Sequence, residues 1–163
     1  MRVKTYILAC ATTIAGLASC GQHKHTDATA VVAEGEVQRV LLSTPWLDHM
    51  PTNERDRLAI WMFGKGEGVF VDGSAYRGTY DGFRFRFAGE QLKVIFGQDG
   101  QAAATRYKLE RVKQPPFGFK LTFVAPMRGP QVYFGFDKFH DEAQRLPAGV
   151  YGWLAGVFST VEH

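Results

Sequence analysis

Between residues 38 and 136 apolar and polar positions alternate in short runs, each ended by glycine, proline or an Asp-Gly pair. Alternation of period two marks strands that bury one face, and dense turn signals leave little room for long helices. The runs predict strands over 38–43, 57–63, 68–71, 75–80, 83–88, 91–96, 103–111, 119–124 and 131–136. Turns are expected at Asp72-Gly73, Asp81-Gly82, Gly89-Glu90 and Asp99-Gly100, with looser connections at Pro115-Pro116 and over 126–130. Asp-Gly is a strong hairpin signal because a type I′ turn needs positive φ at both central residues. Residues 138–145 are predicted as a short helix ahead of Pro147, and the apolar run 150–161 as a last strand or a packed tail. Sequential short strands without long crossovers give an all-β class. The expected architecture is an antiparallel up-and-down barrel of about 8–9 strands, which closes and so removes its own edges, with a short C-terminal helix or tail.

Two-residue turns fix the register, and the register sorts side chains by face. With Asp81-Gly82 as a turn, Tyr80 opposes Phe83, Gly78 opposes Phe85 and Tyr76 opposes Phe87. With Gly89-Glu90 as the next, Phe87 opposes Leu92, Phe85 opposes Val94 and Phe83 opposes Phe96. Tyr76, Tyr80, Phe83, Phe85, Phe87, Leu92, Val94 and Phe96 are therefore the candidate lumen and ligand-binding residues. The opposite face sets Arg77 against Arg86 and Arg86 against Lys93. If Asp99-Gly100 is also a two-residue turn, Lys93 stands against Arg106. With Arg84 beside it, this row is either a solvated face with splayed side chains or a surface for anionic groups, since like charges directly opposite destabilise a strand pair.

The N-terminus carries a different signal. Arg2 and Lys4 precede an uncharged, largely apolar run over 6–17, too short for the ~20 residues of a spanning helix. It ends in Leu17-Ala18-Ser19-Cys20, which resembles the lipobox of bacterial lipoproteins. The resemblance implies a signal peptide over 1–19, removal of Cys10 with it, and diacylglycerol on Cys20. Gly21 after the cysteine implies, by the lipoprotein sorting rule, the periplasmic face of the outer membrane if the source is diderm. Residues 20–36 are small and polar and read as a tether, leaving 37–163 as one barrel domain. Only two cysteines occur, so the mature domain has none for a disulfide and must rest on a packed core.

Removing Arg2 and Lys4 from the 19 basic residues leaves 17 against 16 acidic ones, a balance that excludes a nucleic-acid binder. No Gly-x-Ser-x-Gly elbow or His-Glu-x-x-His helix is present, so no enzyme, metal site or cofactor is expected. His23 and His25 lack a third ligand nearby in sequence. The glycine-rich stretch over 64–68 precedes a strand-like Val69-Phe70-Val71 rather than a helix, and reads as a hairpin loop rather than a phosphate cradle.

Trp46 near the first strand, the segment GSAYRGTYDGFRF over 73–85 and the hairpins after it resemble the lipocalin-like proteins across 38–136. The Gly-x-Trp that opens many lipocalins is here Pro45-Trp46. The resemblance implies a barrel that holds an apolar or amphipathic small molecule, without catalysis. The competing expectation is an envelope scaffold, assembly factor or inhibitor that contacts a protein partner through its outer surface.

Overall fold

The computed structural model describes residues 30–161; the expected signal peptide over 1–19 and Cys20 lie outside them. The chain runs β1 (Ala30–Val31), α1 (Glu34–Leu42), β2 (Trp46–Leu47), β3 (Leu58–Phe63), β4 (Glu67–Ser74), β5 (Arg77–Ala88) and β6 (Gln91–Phe96). It continues through β7 (Ala102–Gln114), β8 (Phe117–Phe123), β9 (Val132–Phe136), α2 (Phe139–Glu142), a 3-10 turn (Ala143–Arg145) and α3 (Ala148–Val161). Strands β2 to β9 form a closed antiparallel meander, and β1 adds to the end of β7. The all-β, up-and-down barrel expected from alternation is the observed fold. The seam is short: Leu47 pairs with Phe134, and the buried Thr44 hydroxyl accepts the Phe136 N–H at 2.9 Å. Gly135 lies inside it, where a Cβ would come within 2.9 Å of the Trp46 ring.

Alternation sends one side of each strand inward and the other outward. In β3 both sides are buried: Ala59, Trp61 and Phe63 face the lumen, while Leu58, Ile60 and Met62 face out under the C-terminal segment. Val150, Leu154 and Phe158, one helical turn apart along α3, lie on these residues together with Val71, Phe136 and Phe139. The run whose form the sequence left open is therefore a helix that covers one half of the barrel's outer wall. Its first turn is held by Glu54, whose carboxylate accepts the Gly149 N–H at 2.9 Å and the Tyr76 hydroxyl.

Three local expectations are corrected. Residues 38–42 are helical, with Ser43 as the C-cap, and not a strand: Val37, Val40 and Leu41 recur at helical spacing, and α1 lays them over one end of the barrel. Residues 30–36 are not a loose tether, because Ala30 and Val31 pair with Arg111 and Glu110 and Val32 is buried. Two Asp-Gly pairs are strand interior rather than turns. The turn of that hairpin is Ala75-Tyr76, between the paired Ser74 and Arg77.

Tertiary demands explain why Asp81-Gly82 runs straight. Asp81 points inward, meets the Arg128 guanidinium at 3.0 Å and accepts the Gln98 N–H. Gly97 lets the two backbones approach, donating its N–H to the Gly82 carbonyl at 2.7 Å where a Cβ would come within 2.9 Å of that oxygen. Asp72-Gly73 likewise stays within β4, where the Gly73 and Gly78 backbones touch too closely for a Cβ. Asp99-Gly100 belongs to a longer loop that sets Ile95 opposite Ala102. Gly89-Glu90 is a two-residue turn as expected, and β6 keeps its predicted bounds.

Leu154→Ala should cost about 2–5 kcal/mol by opening a cavity under α3. Gly152→Ala should stabilise by up to about 1 kcal/mol, because a Cβ there meets open space and glycine is a poor helix former. Chemical denaturation of the two variants checks both signs.

Hydrogen bonds from the Tyr76 hydroxyl and then the Gly149 N–H hold the Glu54 pKa below its ordinary value. The stability this contributes is present above the ordinary glutamate pKa and lost as pH falls through the lowered one. Glu54→Gln should flatten that acid limb in melts recorded across the range, and an unchanged limb would count against the contact.

Candidate functional site

The lumen is the first place to seek a site, and its centre is occupied by the protein's own rings. Trp61 projects inward from β3 and is fully buried. Phe83 lies 5.0 Å from it between ring centres, Phe70 5.1 Å, Phe123 5.6 Å, Phe63 5.9 Å and Phe96 6.0 Å. Tyr133 meets Phe123 edge-on at 5.7 Å between ring centres, and burial raises its hydroxyl pKa well above the usual tyrosine value. Phe83, Leu92, Val94 and Phe96 are inside, as the register of the β5–β6 hairpin required.

Tyr76 and Tyr80 are not lumen residues. Tyr76 occupies the β4–β5 turn, 68% exposed, and Tyr80 faces outward, where its hydroxyl accepts the Trp153 indole N–H at 2.8 Å. The cause is the unbroken β5 strand: with Phe83, Phe85 and Phe87 pointing in, Gly78 and Tyr80 must point out.

Both barrel ends are closed. Across one, α1 contributes Val40 and Leu41, and the Trp46 indole donates to the Leu41 carbonyl at 3.1 Å. At the other, the loop before β9 inserts Arg128, whose guanidinium stacks 4.1 Å from the Phe96 ring centre and bridges Asp81 and Asp99. The Asp99 pKa is lowered, chiefly by the Gln101 N–H and then by Arg128. This clasp escaped the sequence reading because Arg128 sits in a Pro- and Gly-rich loop that reads only as a turn.

Two openings remain of interest. One is a cleft of about 470 Å³ beside α1, lined by Val32, Val37, Phe87, Tyr107 and Leu109. Phe85 and Phe87 are half-buried at this end and continue the ring series at 5.3 Å. The other is a groove of about 700 Å³ along the outer wall of β5, β6 and β7. Arg84, Arg86 and Lys93 line it, with Ile95, Ala102 and Ala104 between them.

The basic row thus exists on this wall in altered form. Arg86 stands opposite Lys93 as expected. Lys93 faces Ala104, however, and Arg106 faces Gln91. Arg77 pairs with Ser74 and leaves the row for a second, smaller hollow with Arg55, Arg57 and Asp72. Among the described residues no three His, Cys, Asp or Glu side chains come together as a metal site.

Comparison with models of known families, with curated proteins and with solved structures gave no match in any of the three.

The lumen rings predict a graded mutational response. Phe83→Ala should cost about 3–5 kcal/mol, as a ring in full contact does. Phe85→Ala should cost clearly less, since its ring is only half covered. Equal losses in urea titrations would mean that the α1 end is as tightly filled as the centre.

Proposed function

We propose that this chain is a non-enzymatic lipoprotein of the cell envelope, anchored through Cys20, that works through the outer wall of its barrel rather than through a hollow lumen. The observation that carries this reading is the contrast between the two faces. The inside is filled by rings around Trp61, while the outside of β5–β7 is an open, cation-lined groove. Fold alone does not assign an activity, so the weight rests on that contrast. The export signal and lipobox at the N-terminus supply the anchor. No helix among the described residues is long and apolar enough to cross a membrane, and the proposed attachment is by acyl chains. In a diderm source the proposed location is the periplasmic face of the outer membrane.

A second reading is supported by the cleft beside α1. Its apolar lining and its volume of about 470 Å³ suit part of an amphipathic small molecule entering next to Phe87 and Tyr107.

Cys20→Ser should move the protein from the membrane pellet to the soluble fraction without changing its melting temperature, because the lipid would sit outside the barrel. A variant that still pellets would sink the anchor assignment. On the purified variant, a lipophilic dye should bind no better than weakly, and Phe87→Ala should abolish what binding there is. Tight dye binding that survives Phe87→Ala but not Phe83→Ala would restore the lumen as the site.

A further inference from the structure

The outer wall of β5–β7 combines features that the proposed function does not yet use. Arg84, Arg86 and Arg106 are exposed on this face and Lys93 is half-buried among them, and among the described residues none of the four has a carboxylate within ion-pair distance. Glu67 lies across the sheet from Arg84 without pairing to it, and Glu110 is occupied by Lys108 at 2.7 Å. Arg86 and Lys93 stand directly opposite each other, which destabilises a strand pair unless an anion or solvent takes up the charge.

The same face carries exposed apolar residues. Among the described residues five large apolar side chains are exposed, and three of them, Val31, Ile95 and Val124, belong here. Ile95 lies in the groove between the cations, and Val31 faces outward beside Glu110. The Val124 N–H bonds to the Arg106 carbonyl, which sets its side chain beside that arginine. A wall that mixes unpaired guanidinium and ammonium groups with bare aliphatic carbons matches the boundary between lipid headgroups and acyl chains. The other half of the outer wall is closed by α3 and is not available.

The path of the chain points the same way. β1 joins the barrel by pairing with Arg111 and Glu110 of β7, so the segment from the N-terminus reaches the domain at the margin of this wall. Ten residue steps separate Ala30 from Cys20. That length allows at most about 35 Å at full extension, comparable to the span of the domain itself. A lipid on Cys20 would hold the domain within one diameter of the bilayer, and its attachment side is the basic side.

We propose that the β5–β7 wall docks on the anionic headgroups of the membrane that holds the anchor, with Arg84, Arg86, Lys93 and Arg106 meeting phosphate and Val31, Ile95 and Val124 resting at the acyl boundary. This inference rests on the lipoprotein reading for its orientation but not for its test, which uses the mature chain carrying Cys20→Ser. Loss of lipid from Cys20 is read separately, by the mass of the wild-type protein.

The unlipidated chain should co-sediment with vesicles of phosphatidylcholine plus phosphatidylglycerol and not with phosphatidylcholine alone, and raising salt should release it. Arg86→Glu with Lys93→Glu should weaken binding at least about tenfold, since each basic residue at an anionic surface contributes about fivefold. Arg55→Glu, an exposed reversal on the loop before β3, should leave binding unchanged. Circular dichroism melts of all variants should superimpose. Equal binding to neutral vesicles, no binding to anionic ones, or full binding by the double reversal would each overturn the proposal. Release by glycerol phosphate at matched ionic strength would overturn it too, by assigning the groove to a soluble anion.

Discussion

The rings of Phe70, Phe83, Phe96 and Phe123 reach the indole of Trp61 from four different strands, each at 5 to 6 Å between centres. Aromatic pairs at that separation favour tilted and edge-on arrangements, and the angles here are of that kind. The described residues contain no cysteine, so this cluster, with the Arg128 clasp at one end, is what holds the opposite walls at a fixed distance. It also determines what the interior can do. Space that the protein's own buried rings occupy is not available to a ligand, and the series is less covered at Phe85 and Phe87, both half-buried.

With the inside committed to packing, the outer wall divides. Under α3, strands β2 to β4 carry Leu47, Leu58, Ile60, Met62 and Val71, and the wall becomes a second core. On β5 to β7 the corresponding positions are Arg84, Arg86, Lys93 and Arg106, or alanine, and the lone Ile95 among them offers no continuous apolar stripe to a covering helix. The two halves follow from one rule applied twice. Outward residues that are aliphatic bring a helix down upon them, and outward residues that are charged keep the wall bare for solvent or a charged partner.

Alternation made the barrel legible, and the β5–β6 hairpin in particular, because one two-residue turn fixes every pair along it. What could not be read were features decided at a distance. Asp81 belongs to Arg128, which lies far along the chain, and that partnership outweighs the local preference of Asp-Gly for a turn. Misplacing that turn moved Tyr76 and Tyr80 into the lumen and Arg77 into the basic row. The α1 segment was lost differently: Val37, Val40 and Leu41 fit helical spacing, but six residues are too few to separate the two periods. Of the outer groove, its cations were visible in the sequence, while the alanines and Ile95 between them needed the true β6–β7 register.

The seam between β2 and β9 has a kinetic consequence. Leu47 and Phe134 come from opposite ends of the folded segment, and β2 contributes only two residues to the closure. Loop-closure entropy makes such a contact late, so the meander from β3 to β9 can assemble before the ring shuts. Until it does, β3 and β9 present unpaired backbone edges, the shape that templates association between chains. Trp46 and Thr44, both wholly buried, lock the seam from within once it forms. A chain shortened past Trp46 would keep most of its strands and its ring cluster, yet remain an open sheet that seeks a partner strand.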